Sequence, residues 1–338
     1  MSVAPAWGLV DLGAEQLDEV RSLFTHVFAA EMSPALWHWK YGSGRGLAMG
    51  TRSADGHLLA HYGGTARTLL VAGVPVCGVQ VGDVMVAQEA RGILSRRGPF
   101  AMAARGFVER YIGVPDGFAC GFGFPNDRAA RLGKVLGLYR DAATVLQLRW
   151  PQARGLRALA LRWNGRLAPI DWSDVHTDER LDALWRGLSQ GSWIKNCVLP
   201  QRDAAWWRHR FANHPHTHYR CYWVRSHFSG RVLGAVALRP GAAPGSEWEL
   251  LDCLAFEQDL PAVAAAARSL CMRQGASAMT GWLSEPLALR LLSHELLADA
   301  HSEIACSAIT SVRQWPSLPD PASTTLWWWL TGGDTDFR

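Results

Sequence analysis

The stretch from Val79 to Asn126 gathers the residue types best suited to holding a charged ligand. Residues 79–86 run or alternate apolar for about one strand length, with Asp83 in their midst between Val81 and Met85. A carboxylate among apolar neighbours is costly unless it is paired or functional, so Asp83 is either half of an ion pair with an arginine or a working base. Arg91-Gly92 and Arg96-Arg97-Gly98 follow, and then Pro99-Phe100. Proline suits the first turn of a helix, where its missing N–H would have had no partner. Phe100, Ala103, Ala104, Phe107 and Tyr111 then recur at spacings of three and four, predicting one buried helical face that ends at Gly113 and Pro115. A strand, a basic glycine-bearing loop and a helix N-terminus together form an anion site, and this loop is expected to hold the pyrophosphate of a cofactor.

The elements that must position this loop read as an ordered α/β chain. Glu15–Phe28 carries a helical face of Leu17, Val20, Phe24, Val27 and Phe28, and Ser33-Pro34 opens an aromatic helix through Trp37, Trp39, Lys40 and Tyr41. Residues 47–52 and 57–62 are expected as strands parted by Asp55-Gly56, and residues 67–76 as another strand interrupted at Gly73. Phe118–Phe124 reads as a short strand. Pro125-Asn126 opens a helix capped by Asn126 and stopped by Gly137, and residues 142–150 close the unit as a strand.

The pattern weakens between residues 151 and 170 and then restarts. Leu181, Leu184, Trp185 and Leu188 mark a helix, and Trp206-Trp207-Arg208-His209-Arg210-Phe211 echoes Trp37–Tyr41. A hairpin around Ser229-Gly230, an Asp252-bearing strand, a Leu260-Pro261 helix start and the run Met279–Leu283 repeat the earlier order. Asp252 lies 169 positions after Asp83, and Trp206 lies 169 after Trp37. The chain reads as two copies of one α/β unit, divided as 1–150, a linker at 151–170, and 171–338.

Composition narrows the function. Of 338 residues, 49% are hydrophobic and 19% charged, which is enough for two cores. A net charge of +4 does not call for a nucleic-acid partner. Seven cysteines without close pairs fit reduced thiols in a cytoplasmic protein, and no signal peptide is evident. No apolar run approaches the ~20 residues of a membrane span, so no membrane partner is expected. His209, His214, His216 and His218 suggest a metal by count alone, but no Cys or Glu pair completes a set, and no metal is expected. The 17 tryptophans require large buried surfaces or a ligand groove.

Asp83-Val84-Met85-Val86, Arg91-Gly92, Arg97-Gly98, Phe122-Gly123-Phe124-Pro125-Asn126 and Leu136-Gly137-Leu138-Tyr139 carry a family likeness. In this order they resemble the GNAT superfamily of acyl-CoA-dependent N-acyltransferases, and the FGFPN…LG ending resembles its tandem branch. The resemblance covers most of the chain, the first half more clearly. It implies two α/β domains, each a mixed, mostly antiparallel sheet flanked by helices, with central strands splayed to admit the pantetheine arm of acyl-CoA. By that likeness Val84, Met85 and Val86 pair with pantetheine. The loop of Arg91, Gly92, Arg96, Arg97, Gly98 and Phe100, with Asn126 beyond it, serves the cofactor, acetyl-CoA or another acyl-CoA. The family loop is more compact, so Ile93-Leu94-Ser95 shifts the expected phosphate contact toward Arg96-Arg97-Gly98. Many members place a tyrosine general acid where this chain has Gly133, and Tyr139 is the candidate to replace it from a shifted position, the alternative being a packing role.

Acyl transfer to an amine needs a base, oxyanion donors and a proton for the leaving thiolate. His61, with an ordinary pKa of about 6.5, is a candidate base or else a satisfied core histidine. The catalytic candidates are therefore Asp83, Tyr139 and His61. In the second copy Glu257-Gln258-Asp259 stands in place of the basic loop, and its carboxylates would repel phosphate, so that copy is expected to shape the acceptor site. The tail after Trp327-Trp328-Trp329-Leu330 reads as a strand followed by a solvated acidic end. By analogy with multi-domain members, its Asp334, Asp336 or terminal carboxylate is the alternative base. The expected acceptor is an amine of a small molecule or sugar. A non-catalytic binding module is the alternative, as is an acyl carrier protein donor docking on Arg91, Arg96, Arg97, Arg105 and Arg110.

Overall fold

The computed structural model describes residues 7–91, 97–163, 165–335 and 337–338. The chain divides into two compact units, each discontinuous in sequence. Unit 1 takes the chain up to Leu69, Pro75–Ala142 and Ser307–Ser323; unit 2 takes Leu70–Val74, Ala143–Cys306 and Thr324–Arg338.

The chain opens with β1 (Trp7–Leu12), α1 (Leu17–Phe28) and α2 (Pro34–Tyr41). The side chain of Ser33 caps α2 by accepting from the Leu36 N–H at 3.1 Å, with Pro34 at the first helical position. Three strands follow: β2 (Gly46–Ser53), β3 (Leu58–Val71) and β4 (Val74–Val86). The expected strand over 67–76 does not exist as such. One long strand ends at Val71, and Ala72 (φ +52) and Gly73 (φ +84) make the tight turn into the next. Two consecutive positive φ values match the twist of a two-residue hairpin. Then come α3 (Pro99–Tyr111), β5 (Gly121–Gly123), α4 (Asp127–Val135) and β6 (Tyr139–Pro151). Asn126 caps α4 as expected, its Oδ1 accepting from the Ala129 N–H at 2.9 Å.

Residues 151–170, expected as a linker, instead hold α5 (Gly155–Arg162) and β7 (Arg166–Pro169). Unit 2 continues with α6 (Thr177–Ser189), β8 (Cys197–Pro200), α7 (Ala204–Trp207), β9 (Arg220–Arg225), β10 (Val232–Arg239) and β11 (Trp248–Ala255). It then has α8 (Leu260–Arg273), β12 (Ala278–Ser284), α9 (Glu285–Leu292), β13 (His301–Ser311) and β14 (Trp327–Trp328).

Unit 1 orders its strands β1-β2-β3-β4-β5, followed by the end of β13 and the start of β6. Only β4 and β5 run parallel among the pairs registered there, so the sheet is mixed and mostly antiparallel. Unit 2 orders its strands β6-β12-β11-β10-β9-β7, with β11 and β12 parallel, and off this path β8 pairs parallel with β14. From β9 to α9 the elements of unit 2 follow the order of types seen from β2 to α4 in unit 1.

Each unit has its own apolar core. In unit 1 one side of the sheet packs Phe100, Ala104 and Phe107 of α3 against Tyr62 and Val79, and another cluster joins Val20, Leu23, Trp37 and Met85. In unit 2 α8 is mostly apolar and largely buried, with Ala264 to Ala267 fully enclosed and the buried Arg268 paired with Asp299. The tryptophans find their place largely here: Trp150, Trp207, Trp328 and Trp329 are fully buried.

A splayed strand pair and the candidate acyl-donor cleft

The local geometry begins at Asp83, which sits in β4 with φ +49, a left-handed conformation uncommon for a residue with a side chain. One such residue breaks the strict alternation of the strand and turns its continuation. The parallel ladder between β4 and β5 covers only Val79↔Gly121, Gln80↔Phe122 and Val81↔Gly123. Beyond it β4 runs on to Val86, while the other strand passes into Phe124-Pro125 and the α4 cap. Pro125 has no N–H with which to extend a ladder, and the strands part. Gly123 permits the last close approach, since a Cβ there would stand 3.0 Å from the Val81 carbonyl oxygen.

A cleft of about 380 Å³ opens where the strands diverge. Val84 and Val86 form one wall, Phe100 of α3 and Leu132 of α4 another, and Val27 and Phe28 at the end of α1 a third. Asn126, Arg128 and Arg91 line it as well. Arg91 donates Nε–H to the Val86 carbonyl at 3.1 Å, and Arg128 donates to the Arg91 carbonyl at 3.2 Å. Gly98 precedes Pro99 at the start of α3 and offers no side-chain cap, leaving first-turn N–H groups beside Phe100 for an anion. Arg97 is exposed, its carbonyl accepting from the Trp7 indole at 2.8 Å. Gly92 and Arg96 lie outside the described residues. Of the cofactor candidates, Val84, Val86, Arg91, Phe100 and Asn126 line this opening, whereas Met85 is fully buried on the opposite side among Leu12, Val20 and Trp37.

Two residues here were not anticipated. Arg128 stands in the first turn of α4, where the helix dipole disfavours a cation, and that misplacement in Asp127-Arg128-Ala129-Ala130-Arg131 was the available signal of an anionic neighbour. Phe28, which its helical spacing places on the apolar face of α1, is exposed and lines the cleft.

The structure brings two of the three catalytic candidates together. Asp83, with only 6% of its side chain exposed, accepts from Lys40 Nζ at 2.6 Å and from the Tyr41 hydroxyl at 2.7 Å. The ion-pair partner is therefore a lysine from α2, not the arginine expected. Burial works to raise the Asp83 pKa, but the Lys40 ammonium and the hydrogen bonds from Lys40 and Tyr41, helped by His61, hold it below the usual carboxylate value. Removing either partner of such a buried pair costs about 3–5 kcal/mol. His61 is buried, and its Nδ1 lies 2.7 Å from the Asp83 carbonyl oxygen, which can only accept. Nδ1 therefore carries the proton and Nε2 keeps a lone pair. Burial lowers the His61 pKa, and nearby Asp83 offsets this in part. His61 lines a separate cavity of about 210 Å³ with Tyr41, Trp37 and Leu47, not the larger cleft.

Tyr139 stands apart from that pair. Its hydroxyl donates to the Tyr62 hydroxyl at 2.7 Å, and both phenols are buried. Burial raises both pKa values, so both hydroxyls stay protonated in the physiological range. The ring fills the space a side chain at 133 would need: a Cβ on Gly133 would fall 1.9 Å from Tyr139 Cδ2. The shifted tyrosine therefore occupies the missing side chain's volume.

In unit 2 the corresponding strand residue, Asp252, is also ion-paired and enclosed. Arg202 Nε lies 3.0 Å from its carboxylate, and the same guanidinium bonds Asp334. Burial, with Asp334 beside it, pushes Asp252 up to about 6 against the pull of Arg202. The tail is thus not a solvated acidic end. Thr331 to Asp334 are buried, and Asp334 is tied to Arg202 and to the Thr331 N–H at 2.9 Å. Asp336 lies outside the described residues. Glu257 and Asp259, where unit 1 has its basic loop, pair with Arg290 and Arg231.

The chain, with mixed sheets flanked by helices, has the fold of GCN5-related N-acetyltransferases. Among solved structures the chain resembles a conserved protein from Enterococcus faecalis V583 described as a probable N-acyltransferase, at 13% identity and a TM-score of 0.67, covering 90% of this chain and 72% of that one. It also resembles GCN5-related N-acetyltransferases from Kribbella flavida (18% identity, TM-score 0.61, 90% and 70% covered) and Anabaena variabilis ATCC 29413 (13%, 0.63, 90% and 72%). No protein-family model matches the sequence, and no curated protein matches it.

Proposed function

We propose that unit 1 binds an acyl-CoA, acetyl-CoA foremost, and that the chain transfers its acyl group to the amine of a small molecule or sugar. The parting of β4 and β5 after Val81 and Gly123, with a cleft of about 380 Å³ at that point, carries this reading. The residues fit such a cofactor: Val84, Val86, Phe100 and Leu132 supply apolar walls for a thioalkyl arm, while Arg91, Arg128 and the first turn of α3 supply donors for phosphate. When bound, acyl-CoA supplies a thioester carbonyl activated toward amines.

The chain's own groups divide the remaining work. His61 holds a neutral imidazole that lines the smaller cavity, and its unprotonated Nε2 is the group suited to accepting a proton from an ammonium. Asp83 orients it through the backbone carbonyl, its carboxylate being committed to Lys40 and Tyr41. The Tyr62–Tyr139 pair, with the Tyr62 ring packed near Phe100, holds phenolic protons and is our candidate donor for a leaving thiolate. We read the two units as tandem copies of one fold, the second stripped of its phosphate loop, and the seven free cysteines as fitting a reducing cytoplasm.

Calorimetric titration with acetyl-CoA tests the donor site. Saturable binding is expected, weakened about tenfold or more by Arg128→Ala, since a charge-assisted hydrogen bond is worth ~1.5–3 kcal/mol. No heat at millimolar cofactor rejects the proposal. A second reading, a non-catalytic acyl-CoA-binding module, is favoured by the enclosure of Tyr139 against Tyr62. Thiol release with a panel of amines separates it from the first, and an acyl carrier protein donor offered beside acyl-CoA decides the source of the acyl group.

A further inference from the structure

Unit 2 carries an apolar surface that its core does not use. In α5, Leu161 is fully buried, but Leu156 and Leu159, with Trp163 capping the helix end, recur at i, i+3 and i+7 and stand 84%, 53% and 69% exposed. Beside them the tip of the β9–β10 hairpin presents Phe228 at 93% exposure. The two parts are joined: the Trp163 and His227 rings lie 5.6 Å apart, and His227 Nε2 bonds the Arg162 carbonyl at 2.9 Å. Isolated exposed apolar residues are ordinary, but four large ones on adjoining segments are not.

Arginines surround this patch. Arg157 and Arg231 are neutralised by Asp299 and Asp259. Arg154, Arg162 and Arg166 are exposed and carry no ion pair among the described residues. The surface therefore offers apolar side chains set among unspent positive charge.

We propose that this α5–hairpin face docks on an anionic lipid surface. The charge selects a negatively charged partner. The way the apolar groups stand decides which kind: a folded protein would need a pocket shaped for each projecting side chain, whereas a fluid headgroup interface closes around Trp, Phe and Leu without preformed complementarity. Arginine suits such a border because its apolar stem lies along the acyl boundary while its head stays among phosphates. No described helix is long and apolar enough to cross a membrane, and docking of this kind requires none.

Co-sedimentation of the full chain with vesicles tests the proposal. Vesicles of phosphatidylcholine containing about one-third phosphatidylserine are expected to pull the protein down, pure phosphatidylcholine much less, with binding falling as salt rises from about 0.1 to 0.5 M. The triple variants Leu156→Ser/Trp163→Ser/Phe228→Ser and Arg154→Gln/Arg162→Gln/Arg166→Gln should each lower binding about tenfold or more. All six positions are exposed, so unchanged circular dichroism and thermal midpoint should accompany the loss. Failure to bind charged vesicles, equal binding to neutral ones, or triple variants that bind like the parent overturn the proposal. So does light scattering that shows a dimer lost in the apolar variant, or capture of an acidic carrier protein with no lipid binding.

Discussion

His61 and Asp83 show how one backbone contact sets the chemistry of a side chain. Because the Asp83 carbonyl accepts from Nδ1, the imidazole presents Nε2 as an acceptor, and burial keeps it neutral to lower pH than a free histidine. Its folded pKa lies below the unfolded value near 6.5, so its contribution to stability is present above that pH and is lost as pH falls through the folded value. If His61 takes the amine proton, His61→Gln should lower kcat about 10²–10⁴-fold while leaving acetyl-CoA affinity unchanged, and the acid limb of the pH–rate profile should vanish. A variant with kcat and profile intact would mean that His61 only packs. The sequence presented Asp83 as a carboxylate needing a partner. It did not name Lys40, because the pairing depends on α2 crossing β4 at one point, and no local spacing encodes that crossing.

At the scale of elements, the α3 and α4 starts were legible because their signals are chemical and local. Gly98-Pro99 and Asn126 act through missing or added hydrogen bonds within a single turn. Gly73 marks an interruption of residues 67–76 in the sequence, but a lone glycine does not tell a kink within one strand from the Ala72-Gly73 turn between two. The Gly133–Tyr139 contact joins α4 to the strand after it and was visible only as an absence at 133. Since the ring occupies the Cβ position, Gly133→Ala should destabilise unit 1 by ~1–3 kcal/mol, measured by chemical denaturation. The double variant Gly133→Ala/Tyr139→Leu should recover part of that loss if the collision with the ring is its cause. Additive losses would show that the two positions act separately.

For the whole molecule, the chain divides between the units in a way that no spacing in the sequence encodes. Ser307–Ser323 belongs to unit 1, where Thr310 and Ile309 pair with Phe122 and Gly123 beside the cleft. Ser311 Oγ accepts from the Gly121 N–H at 2.8 Å, and Arg140 pairs with Asp320 at 2.6 Å. A reader of periodicity sees β13 as the last strand of the second half, because membership is decided by pairing partners far away in sequence. A chain ending at Cys306 should therefore lose the acetyl-CoA affinity of unit 1 along with its cooperative unfolding. An intact, tightly binding truncated protein would show that β13 is dispensable there.

The late strand also imposes a timetable. With β5 emerging near residue 121 and its partner near 310, the cleft's supporting sheet cannot close until most of the chain has left the ribosome. At ~5–20 residues per second, that leaves an open edge exposed for roughly ten to forty seconds. An unpaired, largely apolar β5 is an invitation to other chains during that interval. Synthesis that stops short of β13 would leave unit 1 without the strand that seals it, so completion of the cleft doubles as a check that translation has reached the far end of the second unit.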